Sequence, residues 1–430
     1  MSASAPVPVV TVFLRHRGEV LLLRRSDEVE SYPERWGAVA GHVEQGDPHA
    51  SARAEVEEET GLQETDVTLA QAGSPFRVDD EERGTRWRVH PFLFDTDTRS
   101  VTTNWETAEA EWTSPTALLR RDTVPDLWAS YRRVAPSILS LTDDATHGSA
   151  YLSIRALEVL RDRAGMLATS DAATIGDARA RLASTAHRLL DARSSMAALA
   201  NRIHRVMHAS RPEHAPDTVE ARAHEAIQAA IAADREAATQ AASQVGGAHV
   251  LTLSRSGTVL DALRRAEPAP TVSVVASDPG GEGIAVAESL AGAGLDVTLL
   301  PDAAGARRLR EGSVEAVLVG ADTVLPSGAL INKVGTYAVA LAAHRAGVPL
   351  YAACAADKVT VNDEPPTDES APMQSVYDGP VDLSVWAPRF ETTPADLVSG
   401  GLFTERGLLA ASTIQPLADE LNALRTWPTE

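Results

Sequence analysis

The chain has 430 residues, enough for two or three domains at about 100–200 residues each. Hydrophobic residues make up 44%, which excludes intrinsic disorder as the main state, and no apolar run approaches the roughly 18 residues of a membrane-spanning helix. The formal net charge of −21 argues against nucleic acid and anionic membranes as partners, because like charges repel. The single cysteine, Cys354, excludes a disulfide framework, and the N-terminus lacks the features of a secretory signal. We therefore predict a cytoplasmic protein that binds neither membranes nor nucleic acid directly.

The basic residues are unusual in kind as well as in number. Of 39 cations, 37 are arginines and two are lysines, Lys333 and Lys358, against 60 acidic residues. An ordinary acidic enzyme from a GC-rich genome would explain the arginines, but it explains the excess of acids less well. We favour a halophilic protein, because a strongly hydrated acidic surface resists salting out. The two lysines are then candidates for specific roles.

Three zones follow one another along the chain. Residues 9–134 contain short alternating segments separated by Gly, Pro and Asp, with one helical stretch, which predicts an α+β domain. Residues 147–244 are rich in Ala, Arg, Leu and Glu at helical spacing, which predicts a helical segment. After Gly246, apolar strands such as HVLTLS and TVSVVAS alternate with helical segments, which predicts a doubly wound parallel sheet with Rossmann-like topology. The predicted domains are 1–140, 147–244 and 245–430.

The strongest motif of the first zone runs from Gly41 to Leu62. Its core places Glu55, Glu58 and Glu59 at i, i+3 and i+4, so that three carboxylates share one helix face. Like charges so close imply a counter-cation, and oxygen ligands suit Mg²⁺ or Mn²⁺. The alternative interpretation is an exposed acidic helix in an acidic protein.

This motif resembles the Nudix box, and the resemblance covers about residues 9–135. It implies that Glu55, Glu58 and Glu59 bind the divalent metal, with Gly41 contributing to the metal site and Asp47 in place of the loop glutamate. The reaction implied is attack of water on a diphosphate linked to another moiety. The spacer is one residue short, and Ala54 stands where the box has an arginine that braces the first glutamate, with Arg53 beside it.

A second constellation runs from Gly320 to Cys354. Asp322 follows a buried strand, at the edge of a doubly wound sheet where ligands bind. Asn332, Lys333 and Thr336 lie around the predicted start of a helix, where amides, an ammonium and a hydroxyl form a phosphate site. We predict Cys354 to be a core residue, since free cysteines are usually buried. The histidines His187, His204 and His208 are interpreted as surface or interface residues.

Residues 148–430 resemble the family of eukaryotic initiation factor 2B α/β/δ subunits, methylthioribose-1-phosphate isomerase and ribose-1,5-bisphosphate isomerase. The carrying segments include Ser254-Arg255-Ser256-Gly257-Thr258, the Gly320 to Cys354 stretch and Phe390-Glu-Thr-Thr-Pro394. The resemblance implies a catalytic aspartate, Asp322, and sugar-phosphate binding by Ser254, Arg255, Asn332, Lys333 and Thr336. It also implies a homodimer formed through this domain. Ser254 stands at the family's catalytic cysteine, and Asp278 replaces an arginine of its phosphate-binding segment.

The fold class predicted is therefore α/β: an N-terminal α+β Nudix fold, a helical middle segment and a C-terminal Rossmann-like sheet. The first functional hypothesis is an Mg²⁺-dependent Nudix hydrolase of a nucleotide or nucleotide-sugar substrate, with a second domain that binds a sugar phosphate or nucleotide. One alternative is a sugar-phosphate isomerase with an accessory Nudix domain. The other is a non-enzymatic, translation-factor-like interaction protein.

Overall fold

A computed structural model describes residues 5–44, 46–80, 83–144, 146–170, 174–363 and 370–427. The chain divides into two compact units. Unit 1 comprises Met1–Ser140, Arg155–Thr185 and Pro212–Gln228, and unit 2 comprises Leu141–Ile154, Ala186–Arg211 and Ala229–Glu430. None of the helices in the described ranges combines the length and apolar character needed to cross a bilayer.

Unit 1 is built on one mixed sheet of eight strands. Its main path runs β3-β2-β1-β7-β5, with β4 on β1, β6 on β7 and β8 on β2; β1 and β7 are parallel over nine residue pairs. The strands are β1 (Val7–His16), β2 (Glu19–Arg25), β3 (Trp36–Gly37), β4 (Val39–His42), β5 (Val67–Ala72), β6 (Phe76–Asp80), β7 (Thr85–Thr96) and β8 (Thr107–Thr113).

Helix α1 (Pro48–Thr60) lies between β4 and β5 in the chain and carries the acidic motif. Asp47 caps its N-terminus and Pro48 occupies its first turn, while Gly61 ends it in the left-handed conformation at φ 71°. Ala52 and Val56 pack in one core cluster with Val10 and Val12 of β1, which fixes the helix against this face of the sheet.

The middle of the chain is helical, as predicted. Within the predicted helical segment 147–244, a turn at Arg193–Ser195 separates two helices, and Met196 is the N-cap of the second. The helices that precede the second sheet are α2 (Leu127–Tyr131), α3 (Ile138–Asp143), α4 (Ser149–Ala168), α5 (Ile175–Ala192), α6 (Ala197–Ala209) and α7 (Pro216–Val245).

A buried ionic network belongs to unit 1. Arg15 of β1 pairs with Asp95 at 2.6 Å and with Glu158 of α4 at 3.2 Å, and Glu158 is fully buried. Arg161, also fully buried, pairs with Asp162 and donates to the Gly18 carbonyl oxygen at 2.6 Å. Such pairs compensate the cost of removing charges from water, so removal of one partner leaves a buried charge.

Unit 2 contains a seven-stranded sheet in the order β11-β10-β9-β12-β15-β17-β18. The first six strands of this path are parallel, and numbered along the chain their order is 3-2-1-4-5-6, the arrangement of the Rossmann fold. The predicted doubly wound sheet is therefore confirmed. Its strands are β9 (His249–Leu253), β10 (Thr271–Val275), β11 (Asp296–Leu300), β12 (Ala316–Val319), β15 (Leu350–Ala353), β17 (Gly401–Thr404) and the antiparallel β18 (Gly407–Leu409).

Helices connect these strands, and a small antiparallel sheet adjoins them. The helices are α8 (Gly257–Arg265), α9 (Glu282–Gly292), α10 (Gly305–Arg310), α11 (Thr336–Ala346) and α12 (Gln415–Ala423). The small sheet has the order β13-β14-β16 and consists of β13 (Thr323–Val324), β14 (Leu330–Lys333) and β16 (Phe390–Thr393). Asn332 and Lys333 end strand β14 and do not open a helix, because Lys333 pairs in register with Phe390 of β16.

Candidate functional sites

The first candidate site lies where α1 meets β4. A Cβ atom on Gly41 would come within 1.6 Å of Oε1 of Glu55, so only glycine at this position leaves room for that carboxylate. Burial, followed by the charges of Glu58, Glu106 and Glu44, raises the pKa of Glu55 to about 7. The structure therefore brings together two of the predicted site residues, Gly41 and Glu55.

Glu59 is anchored more deeply than Glu55. Its side chain is buried, and Oε1 accepts a hydrogen bond of 2.9 Å from the Ala40 amide. Burial raises the pKa of Glu59 to about 8 against the opposing effect of that hydrogen bond. A buried carboxylate with this pKa is costly to ionise unless a cation neutralises it.

Glu58 lies on the same helix but is exposed. Among the residues that the structure describes, no group of three or more Asp, Glu, His or Cys side chains is arranged to hold a metal ion. The three glutamates are thus neighbours whose charges affect one another, with two anchored to β4 and the third in solvent.

Two residues of the motif have structural partners that the sequence did not indicate. Asp47 accepts hydrogen bonds from the amides of His49 and Ala50, at 2.9 and 3.3 Å, and so caps α1. The ion pair that Arg53 forms is with Glu64, at 2.8 Å, rather than with Glu55. Ala54 therefore leaves Glu55 without the arginine brace of the Nudix box, and the missing side chain of Gly41 leaves room for its carboxylate.

The second candidate site lies at the carboxyl ends of β9 and β12, where the strand order of the parallel sheet reverses. Ser254 follows β9 with a left-handed backbone, φ 63°, and its amide donates to Oγ of Ser277 at 2.7 Å. Asp322 follows β12, is partly exposed, and its amide donates to the Ile331 carbonyl oxygen at 3.0 Å. The topology thus places both predicted residues at the switch point of the sheet.

Lys333, a predicted phosphate ligand, has other partners. Its side chain is 4% exposed, and Nζ donates to Oε1 of Glu282 at 2.8 Å and to the Pro279 carbonyl oxygen at 2.7 Å. The ammonium group is therefore neutralised within the protein.

The start of α11 is also occupied by a carboxylate. Oε1 of Glu391 accepts from the amides of Gly335 and Tyr337, at 2.7 and 2.8 Å. Thr336 is buried and donates to the Lys333 carbonyl oxygen at 2.6 Å, and Asn332 donates to Oγ1 of Thr336 at 3.1 Å. These side chains hold the turn between β14 and α11.

The backbone amides of the loop after β10 are also bound by a carboxylate. Its Ser277 and Asp278 amides donate to the two carboxylate oxygens of Asp302, each at 2.7 Å. Arg255, a further predicted ligand, is exposed and donates to the Thr146 carbonyl oxygen. Sequence reasoning missed Glu282, Asp302 and Glu391, because each lies 24 or more residues from the groups it binds.

The surroundings of Cys354 and His204 bear on two other sequence interpretations. Cys354 is 1% exposed in the core, and burial raises its thiol pKa to about 12, so the predicted core role is confirmed. His204, interpreted as a surface or interface residue, is partly exposed and has partners within unit 2. Its Nδ1 accepts a hydrogen bond of 2.8 Å from Nε1 of Trp427, and His187 packs on the same indole.

The model of the initiation factor 2 subunit family matches residues 145–411. The chain belongs to this family. Residues 5–134 match the NUDIX domain, so this family member carries an N-terminal Nudix domain. Both resemblances seen in the sequence are confirmed.

Curated relatives of this family member include methylthioribose-1-phosphate isomerases. That of Leishmania infantum is 35% identical over 140 residues, which is 29% of this chain and 37% of the relative. That of Bacillus velezensis is 33% identical over 129 residues, or 28% and 36% of the two chains. The chain thus spans little more than a third of the length of these relatives.

Solved structures resemble the family member in fold. The Pyrococcus horikoshii translation initiation factor eIF-2B matches with a TM-score of 0.52 at 24% identity, covering 64% of this chain and 95% of the other. The 5-methylthioribose 1-phosphate isomerase of the same organism matches with a TM-score of 0.54 at 18% identity, covering 74% and 90%. At such identities the likeness concerns the fold alone.

Proposed function

We propose that the N-terminal domain is a Nudix hydrolase, dependent on Mg²⁺ or Mn²⁺, that acts on a nucleoside diphosphate-linked compound such as a nucleotide sugar. The observation that supports this most directly is that the Glu55 carboxylate lies against Gly41, on the same helix as the buried Glu59. Holding two carboxylates away from water is costly while they are charged. A bound cation would neutralise them, so the site is suited to a cation.

The residues that would hold the cation are Glu55, Glu58 and Glu59, with Gly41 beside them. The exposed Glu58 carboxylate can rotate, while Glu55 and Glu59 are fixed against β4. A bound divalent cation would neutralise phosphate oxygens and lower the pKa of a water molecule. The charges of Glu44 and Glu106 act on Glu55 and add to the attraction for a cation.

The test is hydrolysis of a panel of nucleotide diphosphate compounds with Mg²⁺ or Mn²⁺ at high salt. We expect release of phosphate or nucleotide by the wild type and its loss in Glu58→Gln. Glu57→Gln is the matched control, because Glu57 is exposed on the same helix and outside the predicted metal face. The proposal is contradicted if the wild type hydrolyses none of the compounds with either metal, or if Glu58→Gln is as active as the wild type.

For the C-terminal domain we propose binding of a sugar phosphate or nucleotide at the switch point of the sheet. The isomerase relatives favour, as a second function, hydrogen transfer between C1 and C2 of a ring-opened sugar phosphate with Asp322 as the acid–base group. Ser254 in place of a thiol opposes it, because a hydroxyl is a poor proton-transfer group near neutral pH.

An aldose–ketose conversion assay decides this second function. Methylthioribose 1-phosphate and ribose 1,5-bisphosphate are the substrates to try, with Asp322→Asn as the variant and the exposed Asp419→Asn as control. Conversion that disappears only in Asp322→Asn supports the isomerase. Absence of conversion in the wild type leaves ligand binding as the role of the domain.

A further inference from the structure

Three groups of hydrogen-bond donors near the carboxyl ends of β10 and β14 could bind an anion. In the structure, each of them already binds a carboxylate of unit 2. Asp302 binds the amides after β10, Glu391 binds the amides at the start of α11, and Glu282 binds Lys333. A phosphate that binds at any of these three groups would replace the carboxylate that occupies it.

The Glu282 carboxylate is partly exposed and is held by its ion pair with Lys333. Its side chain is 32% exposed, against 4% for Lys333, so the Glu282 side chain lies nearer to solvent than the lysine does. Oε2 of Glu282 is shielded and accepts no hydrogen bond from any described residue, so only one oxygen is held. Displacement would return Glu282 to water, whereas Lys333 would exchange one anion for another.

The loop before α9 is shaped to admit this carboxylate. Gly280 has a φ of 127°, and a Cβ atom there would lie 2.9 Å from both carboxylate oxygens of Glu282. The Pro279 carbonyl oxygen adds a second acceptor for Lys333. Loop and helix start together hold the Glu282 side chain over the lysine.

We infer that Glu282 is an internal competitor for phosphate at Lys333 and so determines the specificity of this crevice. This inference rests on the proposed binding of a sugar phosphate or nucleotide. Asp278 and Asp302 add negative charge next to the same loop and disfavour a dianion there. Repulsion built against one class of ligand is an established source of specificity. The crevice therefore holds phosphorylated ligands weakly, and neutralising Glu282 creates a stronger phosphate site.

The test is titration calorimetry of the full-length protein with ribose 5-phosphate, with ribose as the uncharged probe. We expect Glu282→Gln to bind ribose 5-phosphate at least about tenfold more tightly than the wild type, with ribose binding unchanged. Glu288→Gln is the matched control, because Glu288 is exposed on the same helix, α9. Its affinity for ribose 5-phosphate should equal that of the wild type.

A double variant, Glu282→Gln with Lys333→Met, shows whether the gain depends on the lysine. Loss of the gain in the double variant, with a thermal unfolding transition retained, supports the competition. Equal or weaker binding by Glu282→Gln, absence of binding by it, or a gain that survives Lys333→Met overturns the inference. Binding by Glu282→Gln but not by the wild type supports the inference and contradicts a sugar phosphate as the ligand of the unmodified protein.

Discussion

A single glycine, Gly41, leaves room for the carboxylate on which the proposed hydrolase depends. The Glu55 carboxylate occupies the space that a side chain at residue 41 would fill, and the arginine that usually positions it is absent. The acidic residues of this motif are evident from the sequence, but this contact between a helix and a strand is not. It depends on how α1 packs against β4.

We expect Gly41→Ala to weaken Mn²⁺ binding by about tenfold, because the added methyl group displaces Glu55. The fold should survive, since the atom displaced is the end of a flexible side chain. Mn²⁺ binding followed by electron paramagnetic resonance measures the effect. Gly37→Ala is the control, because a Cβ there meets its nearest neighbour at 3.8 Å. Equal Mn²⁺ affinity of Gly41→Ala and wild type would show that this contact does not position the ligand.

His204 gives unit 2 a pH-dependent stability. Burial, followed by the charges of Arg425 and His187, lowers its pKa to about 4. An unfolded histidine protonates near pH 6.5, so the unfolded state binds more protons below that pH. The contribution to the free energy of unfolding is complete above about pH 6.5, and is lost progressively as the pH falls from there through 4.

Thermal unfolding between pH 4 and 7 should therefore show a flatter acid slope for His204→Gln than for the wild type. The exposed His344→Gln serves as control and should keep the wild-type slope. Parallel curves for His204→Gln and wild type would exclude this histidine as a source of the acid sensitivity.

At the scale of elements, substitution of Asp47 shows whether this residue acts as a helix cap or as a metal ligand. Its side chain accepts two amide hydrogen bonds at the start of α1, a role that serine also fills. We expect Asp47→Ala to lower the free energy of unfolding by about 1 kcal/mol, and Asp47→Ser to restore most of it. Denaturant unfolding measures both. Loss of Mn²⁺ affinity in Asp47→Ser would instead identify Asp47 as a ligand.

Elements with strong local signals were predictable, and those that depend on pairing were not. The parallel strands follow from buried apolar runs such as HVLTLS, and α7 follows from its Ala-rich helical spacing. Strand β14 was mistaken for the start of a helix, because its four residues are too short for a clear period and pair with a strand 57 residues away. The break between α5 and α6 contains neither Gly nor Pro, so nothing local marks it.

At the scale of the whole molecule, several of the basic residues are buried in the interior. Arg15, Arg161 and Arg202 are at most 3% exposed, and each pairs with a carboxylate. Arg155 and Arg205 share the carboxylates of Arg15 and Arg202, so positive and negative charges balance in these clusters and they add nothing to the net charge of −21. The excess acid is therefore concentrated on the exposed surface, where carboxylates repel one another.

Salt should accordingly stabilise this protein, as the prediction of a halophile requires. The screening length falls from about 8 Å at 0.15 M salt to about 3 Å at 1 M, so repulsion between surface carboxylates is largely removed over this range. We expect the Tm to rise with KCl concentration, with most of the rise below about 1 M. Calorimetry in KCl and, separately, in sucrose tests this, because sucrose strengthens burial without screening charge. A Tm that rises as much in sucrose, or that falls in KCl, would show that surface repulsion does not limit stability.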